Sequence, residues 1–110
     1  MPWAPLLSES EIASGLEHLP EWTREGDAIT RTVRSPSFGE AIELVVRIAD
    51  VAESADHHPD MLIRWRRVTF TLSTHASGGL TAKDLVMAAE IDRLAAAGES
   101  GTGRESVPGG

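Results

Sequence analysis

Cysteine is absent from this chain of 110 residues, which excludes a disulfide framework, a thiolate metal site and a cysteine nucleophile. The absence fits a reducing, cytoplasmic location. Positive charge is scarce: 10 Lys and Arg stand against 17 Asp and Glu, for a net charge of −7. That balance argues against a nonspecific grip on nucleic-acid phosphates, which needs clustered basic side chains. The one basic cluster, Arg64, Arg66 and Arg67, is short and reads as the solvated tip of a hairpin. No apolar run approaches the roughly 18 residues that a membrane span needs. No basic stretch followed by an apolar one opens the chain as a signal peptide would. The expectation is no nucleic-acid partner and no membrane association.

What is present is an ordinary globular composition, 41% hydrophobic and 25% charged. A chain of this length holds one core, and so small a domain gains from association. Residues 1–98 read as that domain. Residues 99–110 form a Gly/Ser-rich tail that cannot bury enough apolar surface to offset ordering, so it is expected to be disordered.

Ser8 and Glu11 have capping-box spacing, which predicts a first helix over about residues 9–18. Ile12, Leu16 and Leu19 give it a sparse apolar stripe, and Pro20 ends it. Residues 22–24 predict a short strand, Gly26 and Asp27 a turn, and the alternation over residues 28–34 a second strand paired back on the first. Ser37 and Glu40 repeat the capping spacing before a long helix over residues 38–55. Phe38, Ile42, Val45, Val46, Ala49 and Ala52 recur at helical spacing and predict its buried face, and Pro59 blocks continuation.

Segments 61–65 and 68–74 predict a hairpin with Arg66 and Arg67 at its tip and Met61 opposite Leu72. That pairing puts Met61, Ile63, Trp65, Val68, Phe70 and Leu72 on a packed face, and Arg64, Thr69, Thr71 and Ser73 on a polar one. A turn around residues 77–79 leads to a last helix carrying Leu85, Val86, Ala89, Ile91 and Leu94, which decays near Gly98. The order α-β-β-α-β-β-α predicts an α+β fold: a four-stranded antiparallel sheet with three helices packed on one face.

Chemistry concentrates between Glu53 and Asp84, where three of the 4 histidines fall: His57, His58 and His75. Imidazole, with an ordinary pKa of about 6.5, gives and takes protons near neutrality. The hairpin brings segments 57–59 and 74–77 together, although they are distant in sequence. Glu53, near the end of the long helix, and Asp84, at the start of the last one, flank the resulting cleft. Thr81 and Asp84 are also spaced as a helix cap, a role compatible with a place in the site. Glu53 and His57 are spaced four apart as metal ligands can be. Pro59 breaks the helix close by, and neighbouring histidines rarely converge on one ion, so no metal is expected.

The array Glu53-x3-His57-His58-Pro59-x5-Trp65-x9-His75-x8-Asp84 also includes Ser73-Thr74-His75 and Gly79-Leu80-Thr81. It resembles the signature of the pterin-4a-carbinolamine (4a-hydroxytetrahydrobiopterin) dehydratases. The resemblance spans nearly the whole chain outside the tail. It implies the same α+β architecture and a hydro-lyase acting on a pterin without metal or redox cofactor. It implies His57, His58 and His75 as catalytic residues, with His57 and His75 moving protons and His58 mainly holding substrate. Substrate contact is implied for Glu53, His57, His58, Pro59, Thr74, His75, Ala76, Ser77 and Asp84. Family members form homodimers or homotetramers and support pterin recycling beside an aromatic amino-acid hydroxylase, while some serve as dimerisation or assembly factors instead. Met61 departs from relatives that carry an aromatic there. The five polar residues Glu53, His57, His58, His75 and Asp84 favour the enzyme over the binding role.

Overall fold

A computed structural model describes residues 4–101. The elements are α1 (Glu9–Leu16), β1 (Thr23–Glu25), β2 (Ala28–Arg34), α2 (Phe38–Ala55), β3 (Asp60–Arg64), β4 (Arg67–Leu72) and α3 (Ala82–Gly101), with a 3-10 turn at His75–Ser77. The strands form one antiparallel sheet in the order β1-β2-β4-β3. The α+β architecture and element order are those the sequence predicts.

Of the expected capping pairs, the first forms in full and the second by half. Ser8 Oγ accepts from the Glu11 N–H, and Glu11 returns a carboxylate to the Ser8 N–H, at 3.1 and 2.8 Å. Ser37 Oγ accepts from the Glu40 N–H at 3.1 Å and starts α2. The turn between β1 and β2 holds Gly26 at φ 62, a left-handed backbone that glycine adopts without steric cost.

Inside the sheet, Ile29, Val33, Val68, Phe70 and Leu72 pack against Leu44 and Ile48 of α2 and Met87 and Ile91 of α3. Fully burying each such side chain contributes about 1.5–3 kcal/mol. Trp22 is buried and donates its indole N–H to Asp92 of α3 at 2.8 Å. Arg31 of β2 pairs with the same carboxylate, so one residue of α3 fastens two earlier elements.

Four local expectations are corrected. The buried stripe of α2 is Ala41, Leu44, Ile48 and Ala52, while Phe38 and Val46 are 51% and 55% exposed. Apolar residues cover more than one side of this helix, and the sheet takes the side rotated about a quarter turn from the predicted one. Second, α2 stops before Pro59 can act: Asp56 adopts φ 53 and ψ 41, and the next N–H, from His57, closes onto the Ala52 carbonyl at 3.1 Å. Asp tolerates this left-handed cap better than most residues.

Third, the β3–β4 hairpin turns on Trp65 and Arg66, because Arg64 pairs with Arg67 and Met61 with Phe70. Moving the turn by one residue shifts both strands together, so Met61, Ile63, Val68, Phe70 and Leu72 keep their common face and Trp65 alone leaves it. Trp65 is 65% exposed. Fourth, α3 continues through Gly101, past the predicted decay near Gly98. Its buried face is Met87, Ala88, Ile91 and Ala95. The rest of the expected tail, residues 102–110, lies outside the described residues.

Candidate active site

The left-handed cap at Asp56 turns the chain out of α2 and drives His57 inward, where it is 4% exposed. Its Nε2 lies 2.6 Å from Oδ1 of Asp84, a residue with no exposure at all. The other oxygen, Oδ2, accepts from the Thr74 hydroxyl at 2.8 Å and from the Thr81 N–H at 2.9 Å. Thr74 spends its only proton on Asp84, so at 2.7 Å it is Thr81 that donates to the Thr74 oxygen. Thr81 Oγ1 in turn accepts the Lys83 N–H at 3.2 Å. The donors all point one way, and such a chain polarises its members towards the carboxylate. A carboxylate offers acceptors only, so His57 donates from Nε2, and Nδ1 has no hydrogen-bond partner among the described residues.

Asp84 thus serves two ends. Its reach back to Thr81 completes half of the expected helix cap, and its second oxygen orients an imidazole.

His58, next along the chain, points outward. Its Nε2 sits 2.7 Å from Glu53 Oε2, and both side chains are more than half exposed. His75 opens the 3-10 turn and is exposed, and its ring has no hydrogen-bond partner among the described residues. The β3–β4 pairing carries these segments together, with Asp60 opposite Thr71 and the flanking chain continuing on both sides. His57, His58, Ser73, His75 and Ala76 line one cavity of about 150 Å³. On another side His57 borders a largely apolar cavity of about 230 Å³ with Ala55, Ala82, Lys83, Val86 and Met87.

The nine expected contact residues separate into layers. His57, His58, His75 and Ala76 form cavity wall. Glu53 stands behind His58. Pro59 and Thr74 are buried, and the turn engages the Thr74 backbone, whose N–H donates to Gly79 O and whose carbonyl accepts from the Ser77 N–H. Ser77 Oγ holds the N-terminal segment instead, accepting from Ala4 N at 2.9 Å and donating to Ala4 O. Asp84 is covered by its three donors, which match the orienting role rather than contact with a ring.

Two residues of the array take roles at the site that the sequence did not assign. Ser73 is cavity wall, tied by its hydroxyl to Asp27 O at 2.7 Å. Strand alternation places it on the polar face, and the array includes it in Ser73-Thr74-His75 without assigning it a contact. Thr81 was legible as a cap residue donating its N–H to Asp84, but not as the hydroxyl donor to Thr74.

Fold and site together define a class: a small α+β protein whose cleft gathers three imidazoles, one of them anchored on a buried carboxylate. The family profile described as "Pterin 4 alpha carbinolamine dehydratase" matches residues 5–94. The chain belongs to this pterin-4-alpha-carbinolamine dehydratase family. A Nocardia farcinica protein named "Putative pterin-4-alpha-carbinolamine dehydratase" is 60% identical over 90 residues, covering 82% of this chain and 95% of the relative. A Roseiflexus castenholzii protein of the same name is 53% identical over 91 residues, covering 83% and 98%. A crystal structure of a "transcriptional coactivator/pterin dehydratase" from Brucella melitensis superposes with a TM-score of 0.80 at 34% identity, covering 83% of this chain and 99% of that one.

Proposed function

We propose that the protein dehydrates a 4a-hydroxytetrahydropterin to the quinonoid dihydropterin by histidine acid–base catalysis. The observation that carries this reading is the convergence of His57, His58 and His75 on one cavity, with His57 fixed through Asp84. In the reaction, a ring-nitrogen lone pair expels the hydroxyl on the adjacent ring-fusion carbon. An imidazolium protonates the departing oxygen, the C–O bond breaks and water leaves. A neutral imidazole then takes the proton from the ring nitrogen, giving the neutral product. Acid and base have exchanged states and reset through solvent.

His57 suits one proton transfer, because its committed Nε2 leaves Nδ1 for the substrate. His75, unpartnered and exposed, suits the other. His58, held by Glu53, suits ring binding, so its loss acts mainly on KM. Both chemical steps are proton transfers, so no metal enters the scheme. The direct experiment is a dehydration assay on freshly generated 4a-hydroxytetrahydropterin, with and without chelator. Turnover above the spontaneous rate, unchanged by chelation, is expected; no acceleration, or activity lost on chelation and restored by a divalent ion, would overturn the scheme.

The physiological setting follows the same reading: a cytoplasmic enzyme recycling a pterin cofactor beside an aromatic amino-acid hydroxylase. Homodimers or homotetramers are part of it, supported by the exposed Phe38 and Val46 on α2. Sizing chromatography at micromolar concentration is expected to show an oligomer, and a monomer would count against it. A binding or assembly role would draw on that helix face alone and leave the histidine cavity without use.

A further inference from the structure

At the far end of the same hairpin from the histidines lies a second cluster. The strand registers set Arg64 opposite Arg67, and Arg67 opposite Arg34. Three arginines therefore stand side by side across β3, β4 and β2, with backbones spanning about 10 Å. They alternate with the inward Val33 and Val68 and so share the outer face with Thr32 and Thr69, whose hydroxyls are bonded at 2.7 Å. Like charges directly opposite one another destabilise a sheet. Yet among the described residues none of the three side chains has an ion-pair or hydrogen-bond partner, in a chain with an excess of carboxylates.

The surface there is also hollow and aromatic. Thr32, Leu62, Arg64, Trp65, Arg67 and Thr69 line a groove of about 560 Å³. Leu62 is 56% exposed and Trp65 65%. Trp65 occupies the first central position of the two-residue turn at φ 56, where hairpins favour glycine or asparagine. A left-handed backbone costs such a residue roughly 1–2 kcal/mol. The Arg66 guanidinium lies 4.4 Å from the Trp65 ring centroid and donates to Pro36 O at 3.2 Å, which holds one side of the ring.

We propose that this groove is a binding site for a small phosphorylated ligand bearing a planar ring, of the nucleotide class. Arginine forks take phosphate oxygens two at a time, so Arg64 and Arg67, which line the groove, suit a diphosphate, with Arg34 next in the strand register beside them. The Trp65 ring offers a stacking platform beside them, and Leu62 an apolar flank. The volume falls within the roughly 300–1,000 Å³ of small-molecule sites. Local positive charge on a chain of net charge −7 suits a compact anion better than a long polyanion, whose binding rests on many phosphate contacts. The site stands apart from the histidine cavity and does not depend on dehydration there.

Isothermal titration of the full chain with adenosine diphosphate, pyrophosphate and adenosine tests it. Adenosine diphosphate is expected to bind saturably at one site, with pyrophosphate and adenosine each weaker by about tenfold or more. Added salt should weaken the binding. The double variant R64S/R67S should lose about tenfold or more in affinity with its circular dichroism unchanged, and R67S alone carries the test if the double variant fails to fold. W65G suits the turn, so it should keep pyrophosphate binding and lose the advantage of the ring. The proposal is overturned by any of four results: no saturable heat at millimolar nucleotide, equal affinity in R64S/R67S, tighter arginine-dependent binding of a single-stranded oligonucleotide, or dissociation of an oligomer by R64S/R67S, which would make the groove a contact between copies.

Discussion

Replacing His57 and His75 together by alanine is expected to remove nearly all enzymatic dehydration. Each transfers a proton in the proposed scheme, and a positioned general acid or base contributes about 10²–10⁴-fold. A single replacement leaves the other proton-transferring imidazole beside the substrate, so the double variant should lose far more than either single. The two sites also differ in structural cost. His75 is exposed and has no ring partner among the described residues, so H75A should leave the fold alone. His57 is buried against Asp84, so H57A strands a carboxylate oxygen and should lower the melting temperature as well. His18, exposed just past the end of α1 with its ring near Ser14 O, is the control and should be replaceable at little cost. A folded H57A/H75A protein turning over at the wild-type rate would end the histidine mechanism.

The second large effect is expected from Asp84→Asn, which keeps shape and changes proton placement. The amide oxygen can still accept from Thr74 and Thr81, but the amide nitrogen then faces His57 and donates. His57 must accept at Nε2 and carry its proton on Nδ1, reversing which nitrogen can take a proton from substrate. The expected result is a fall in kcat of about 10²–10⁴-fold, the size of a lost general base. KM should change much less. The fold should survive with about 1–3 kcal/mol lost, whereas Asp84→Ala would leave three buried donors without an acceptor and cost more. Nitrogen NMR of His57 reads the tautomer directly. An Asp84→Asn protein with unchanged tautomer and reduced kcat would mean the carboxylate acts by some other route.

Legibility in the sequence followed how local each determinant is. Capping pairs such as Ser8 with Glu11 act within one turn of chain, and they marked helix starts correctly. The side of α2 that would be buried depended on which apolar stripe the sheet selects, and that choice is made by partners distant in sequence. The hairpin turn was misplaced because nothing in its residues announces a left-handed tryptophan. The histidine array was visible because its offsets match a fold that reunites residues 57–59 with 73–76. The hydroxyl chain beneath it was not, since threonines are common in strands and caps and carry no spacing rule of their own.

The link between His57 and Asp84 also bears on the order in which the molecule can be made. Chains emerge from synthesis N-terminal end first. By the time β4 is available, every histidine of the cavity but one has appeared, yet the carboxylate that orients His57 belongs to α3 and arrives 27 residues after it. The same helix brings Asp92, on which Trp22 and Arg31 must wait for 70 and 61 residues. Core closure and site assembly therefore fall together at the last step, and a nascent chain lacking α3 holds its imidazoles without the group that aims them.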